Sequence, residues 1–168
     1  MGAELLQSLF RHKAAIDDEF LLAVDRIDAV AQADDRRVAI RLMNHIHVVD
    51  RIFCAHMRGD AHGYDATNTP ETPAVDVLRW AMSDTDLWLI EHAGRLTPAQ
   101  LAESVVFTFT DDQPGRMTRE EMLMHLIGHG SYHRGAVGGI LSRQSIPAPR
   151  DLFTAYLHRA EPQRREPV

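Results

Sequence analysis

A chain of 168 residues, 45% hydrophobic and 25% charged, has the composition of one globular domain with its own core, not of a disordered or fibrous segment. The net charge of −6, with Arg164-Arg165 near the C-terminus as the one arginine-rich stretch, argues against nucleic acid and anionic membranes as partners. The single cysteine, Cys54, rules out an intrachain disulfide framework. With no 18-residue apolar stretch and no uninterrupted apolar core in residues 1–16, cytoplasmic residence is the default expectation.

Helical periodicity dominates the chain. Leu5, Leu9, Ile16, Phe20, Val24 and Ile27 fit one face of a long first helix, expected to end near Gln32. A second helix should start at Asp34-Asp35, where acidic side chains suit the positive end of the helix dipole. Its inward stripe would include Leu42, His45 or Ile46, Val49, Phe53 and Met57, with Gly59 as the stop. Residues 59–72 hold turn formers without periodicity and should form a loop. Thr72-Pro73 reads as an N-cap followed by proline in the first turn of a third helix, marked by Val77, Leu78, Ala81, Thr85, Trp88 and His92 and ended by Gly94.

Thr97-Pro98 should start a short extra turn. Val105 to Thr110 is β-branched and aromatic and is followed by Asp111-Asp112-Gln113-Pro114-Gly115, a pattern that predicts a small hairpin. Thr118-Arg-Glu-Glu121 fits a capping box at the head of a fourth long helix, which should reach about Gln144 before Pro147 and Pro149. A short helix over 151–158 should close the fold. The expectation is an all-α four-helix bundle with long connections, forming a single domain over residues 1–160, and a frayed tail over 161–168.

The fourth helix carries the segment His125-Leu-Ile-Gly-His129-Gly-Ser-Tyr-His133-Arg-Gly. His129 and His133 stand one turn apart on one face, separated by about 6 Å along the axis, so both imidazoles can converge on one transition-metal ion. His125 extends the stripe by a further turn. Gly128, Gly130, Gly135, Gly138 and Gly139 disfavour this helix by about 4–5 kcal/mol in total propensity. Close packing, room beside the imidazoles, or a metal bond would offset that cost.

Two histidines leave a zinc or nickel site incomplete, since at least three protein ligands are needed. The second helix offers His45, His47 and His56. His45 shares the stripe of Val49 and Ile52 and is the choice for third ligand. His47 is rotated by about 200° and should face away, although it could pair with Asp50 at the bundle edge. The bland alternative is a bundle whose histidines are packed and hydrogen-bonded. Leu126 stands where a His-Glu-x-x-His protease would have its glutamate, so a zincin site is absent. Cys54 reads as a small packed hydrophobe, Trp80 and Trp88 as core residues, and Arg134 as an ion-pair or pocket-capping residue.

The segments Leu42-Met-Asn-His45-Ile and His129-Gly-Ser-Tyr-His133-Arg-Gly-Ala-Val resemble the DinB/YfiT-like superfamily. Its members combine a helical bundle with one histidine on the second helix and a His-x-x-x-His pair on the fourth, in the pattern Asn-His-x-x-x-His-Arg-Gly-Gln. Here Gly128 replaces the Asn and Ala136 replaces the Gln. The resemblance implies His45, His129 and His133 as ligands of a divalent metal, nickel or zinc, with no fixed role for His47 or His125. It also implies a homodimer and a thiol-dependent S-transferase acting on small electrophiles, with a low-molecular-weight thiol such as mycothiol, bacillithiol or glutathione as cosubstrate. The alternatives are a hydrolase that uses a metal-bound water and a non-enzymatic metal or small-molecule binding protein. Three neutral imidazoles leave the 2+ charge of such an ion unneutralised, which favours a thiolate or hydroxide in the open position.

Overall fold

The computed structural model describes residues 2–166. In chain order it contains α1 (Ala3–Asp25), α2 (Ala33–Arg58), α3 (Val75–Arg95), the single turn α4 (Pro98–Leu101), β1 (Ser104–Thr108), β2 (Pro114–Thr118), α5 (Arg119–Arg143) and α6 (Phe153–Ala160). The architecture is the expected all-α bundle. α1 lies between α3 and α5, and α2 packs along α5. The two strands form an antiparallel hairpin in which Val105 faces Met117 and Phe107 faces Gly115. Among the described residues no helix is long and apolar enough to cross a membrane.

Local chemistry sets most boundaries. Thr97 and Thr118 each accept from the backbone N–H three residues on, while Gln100 and Glu121 reach back to the cap N–H, so both predicted helix starts are capping boxes. Gly59 ends α2 in the left-handed region at φ 78°, a conformation that costs glycine nothing.

Two helix limits differ from expectation. α1 stops at Asp25, seven residues before Gln32, because the Asp28 carboxylate accepts from the N–H groups of Val30 and Ala31 and folds a turn there. Arg36 then donates to the carbonyls of Val24, Asp25 and Ile27 and seals that end. α3 starts at Val75, not directly after Thr72-Pro73, and carries no side-chain cap. α6 lies two residues later than predicted. Of the tail expected to fray, Pro162–Arg165 form a 3-10 turn, and residues 167–168 lie outside the described residues.

The core divides into two apolar clusters. One contains Phe20, Leu21, Ile40, Met43, Ile46, Leu78, Met82, Val137 and Leu141. The other contains Leu6, Phe10, Val48, Phe53, Leu89, Leu123 and Leu126. Trp80, read from spacing as a core residue, is 75% exposed beside exposed Val77 and Leu87, whereas Trp88 stacks on His92 beneath the Arg58 guanidinium.

Between the clusters lies a buried belt of charge. Lys13 Nζ sits 2.8 Å from Asp17, 2.6 Å from Asp50 and 2.8 Å from Asp86, which places one carboxylate from each of α1, α2 and α3 around one ammonium group. Arg134 of α5, fully buried, donates to Asp17 at 2.8 Å and to Asp151 at 2.9 Å. Burial raises the pKa of Asp50 to about 6 and of Asp86 to about 7, against the pull of Lys13.

Removing the central cation strands Asp50 and Asp86 in the core and leaves Asp17 to Arg134 alone. Lys13→Met is therefore expected to cost about 3–5 kcal/mol in urea unfolding, the range for breaking a buried ion pair from one side. A loss below about 1 kcal/mol would contradict a structural role for the belt.

Candidate metal centre

The seam between α2 and α5 brings His45, His129 and His133 together. One ring nitrogen from each lies within 4.8 Å of the others, and among the described residues this is the one group of His, Cys, Asp or Glu so arranged. Ring centroids are 4.5–4.8 Å apart, and Nε2 of His45 stands 3.0 Å from Nε2 of His129. Two nitrogens each about 2.0–2.1 Å from one tetrahedral ion are roughly 3.3 Å apart, so the cluster matches the size of a shared ion. All three side chains are half-buried.

The long connection between α2 and α3 sets the orientation of His45. Its Nδ1 is 2.7 Å from the carbonyl oxygen of Thr67. A carbonyl only accepts, so Nδ1 carries the proton and Nε2 turns its lone pair toward the α5 pair. The connection is itself anchored to α2. The buried Asn44 side chain donates to Asn68 and to Thr69 Oγ1, Asn68 donates back to the Arg41 carbonyl at 3.0 Å, and Arg41 donates to the Thr69 carbonyl at 3.2 Å. A segment that spacing identifies only as a loop thus holds a ligand candidate in its donor tautomer.

Burial is the main cause that lowers the pKa of His129 to about 3, reinforced by His133, His45, His125 and Lys13; burial and His45 lower that of His133. Both rings are thus held neutral, the form that binds metal. Nδ1 of His129 is buried with no hydrogen-bond partner. Three neutral nitrogen donors without a carboxylate suit zinc, nickel or a similar borderline ion and not calcium or magnesium. The residues present fit such an ion.

The other histidines fall outside the cluster. His125 stacks on His129 at 5.4 Å and on Phe53 at 4.9 Å, and so extends the ring array without joining the donor group. His47 is half-buried with Nδ1 unpartnered, and burial lowers its pKa to about 4. Its suggested partner Asp50 is turned into the core toward Lys13. Cys54 is buried and its thiol is pushed upward by desolvation, as a packed residue should be.

The glycines of α5 have mixed roles. A Cβ at Gly130 would stand 2.8 Å from Arg134 Nη1 and 3.7 Å from Lys13 Cε, so this glycine makes room for the buried belt. Gly128, Gly135 and Gly139 face open space, and close packing does not explain them. Lys13, Asp17, Asp50 and Asp86 were missed as site-supporting residues. Their signal was a set of charges on otherwise apolar stripes, at Lys13 and Asp17 between Phe10 and Phe20, and at Asp50 between Val49 and Ile52.

A sequence model of the DinB family matches residues 5–164. The chain belongs to the DinB family. No curated protein and no solved structure gives a significant match, so within this DinB protein the site stands on its own geometry.

The depressed His129 pKa makes the metal-free fold acid-sensitive. The folded ring stays neutral to about pH 3, while an unfolded histidine takes up its proton near 6.5. This contribution is fully present above about pH 6.5 and is lost as pH falls toward 3. In chelator-treated protein, His129→Gln should make the acid limb of the stability curve shallower by a fraction of a proton, because the half-buried ring is partly screened by solvent. An unchanged limb in urea melts between pH 4 and 7 would contradict the assignment of a neutral buried ring.

Proposed function

We propose that this DinB-family protein is a metal-dependent S-transferase in which His45, His129 and His133 ligate one nickel or zinc ion and a thiol cosubstrate attacks a small electrophile. The observation that carries the proposal is the convergence of three imidazoles, from two helices, on a volume the size of one ion. Such an ion would supply Lewis acidity and lower the pKa of a thiol or water beside it.

The chain's own residues supply position. Thr67 holds the His45 ring by its Nδ1 proton, and the belt behind α5 fixes the helix face that bears His129 and His133, since Arg134 follows His133 directly and is locked by two carboxylates. Beside the cluster, the His125 ring stacks on His129 and is itself backed by Phe53, and the Tyr132 ring stands edge-on to His133.

Elemental analysis of protein purified without an affinity tag should find about one nickel or zinc per chain, and His129→Ala should retain only a small fraction of it. The loaded protein should consume 1-chloro-2,4-dinitrobenzene only when a low-molecular-weight thiol is added. Metal content unchanged by His129→Ala would defeat the ligand assignment, and thiol-independent turnover would defeat the transferase in favour of a hydrolase.

A further inference from the structure

Arg37, Arg41 and His45 occur at intervals of four on α2 and therefore share one face, about 6 Å of helix rise between neighbours. A groove of about 320 Å³ runs along this face, lined by Arg37, Val38, Arg41, Leu42, His45 and Asn68. It begins at a residue of the histidine cluster and leads away from it, past two guanidinium groups.

Neither arginine is spent on a strong ion pair. Arg41 donates to the carbonyls of Thr69 and Pro70, neutral acceptors that fix its position and leave its charge in place. Arg37 has Asp34 at 3.5 Å, with both side chains largely exposed, a pair that adds little. Two cations one turn apart, one on neutral carbonyls and the other in an exposed, weak pair, are notable in a chain of net charge −6. Val38, 42% exposed, and half-buried Leu42 give the same groove an apolar side. A cationic end, an apolar wall and one ring of the histidine cluster, His45, at the other end describe a site for an amphipathic anion with its reactive group toward the cluster.

We propose that this groove binds the carboxylate-bearing arm of the thiol, with Arg37 and Arg41 as its specificity-determining residues. The inference rests on the metal reading above and names the class of thiol that reading leaves open. From His45 to Arg41 is one turn and to Arg37 two turns, about 12 Å of rise in all, a span that a thiol bridges only with its carboxylate at the far end of an extended arm.

The probe pair is 6-mercaptohexanoate against 6-mercaptohexanol, equal in length and different in charge. Binding is followed on cobalt(II)-loaded protein by the charge-transfer absorption of a cobalt–thiolate bond, a readout independent of turnover. At low ionic strength the carboxylate should bind about ten-fold more tightly than the alcohol, a preference that shrinks as salt is added. Arg37→Gln should bring the two within about two-fold with cobalt uptake retained, whereas Arg95→Gln, on the exposed surface of α3, should keep the preference. Equal affinities in the wild type, or a preference that survives Arg37→Gln, overturn the inference and leave the metal reading standing. Failure of the wild type to take up cobalt overturns the metal reading, and this inference with it.

Discussion

One buried ammonium group organises the bundle. Lys13 gathers a carboxylate from α1, α2 and α3 at 2.6–2.8 Å, and Arg134 ties α5 to the same belt through Asp17. Each ion would be costly alone in the core, so each helix is acceptable only in the rotation and register that completes the set. Apolar packing above and below the belt already disfavours other rotations, and the ion set adds to this because any other arrangement leaves a buried charge without its partner. The belt therefore specifies how α2 and α5 face each other, and that relation is what places His45 opposite His129 and His133.

Position along the seam is then refined from outside. The connection between α2 and α3 bonds to Arg41, Asn44 and His45 within little more than one turn of α2, so the same four-residue stretch from Thr67 to Pro70 both shapes the groove and fixes the tautomer of a ligand candidate. Gly130 lets Arg134 fold beneath the helix that carries the histidine pair. The site is supported on one side by charges held in the core and on the other by a loop stapled to a helix. This is the arrangement expected where ligand geometry has to be set before an ion arrives.

Much of this was legible from residue order. Periodicity located the four long helices, Thr97-Pro98 marked a short turn, Thr118 announced its capping box, β-branched residues marked the hairpin, and His45, His129 and His133 stood out by face and spacing. The missed features share a physical cause. Lys13 and Asp17 look like an ordinary surface pair at i, i+4, because local spacing cannot show that Asp50 and Asp86 arrive from other helices to bury them. Asp28 ended α1 early through side-chain bonds to the backbone, which outweighed a continuing apolar rhythm. Trp80 lies on the outer face although its size suggests a core residue, and nothing in its spacing from Trp88 distinguishes the two.

The proposed chemistry rests on a donor set that is entirely imidazole nitrogen, drawn from two helices. X-ray absorption at the K-edge of the bound metal tests this most directly. The account predicts a shell with the multiple-scattering signature of three imidazoles at about 2.0–2.1 Å, joined by one sulfur at about 2.3 Å when thiol is added. A shell with fewer than two imidazoles, or one that His45→Ala leaves unchanged, would contradict it.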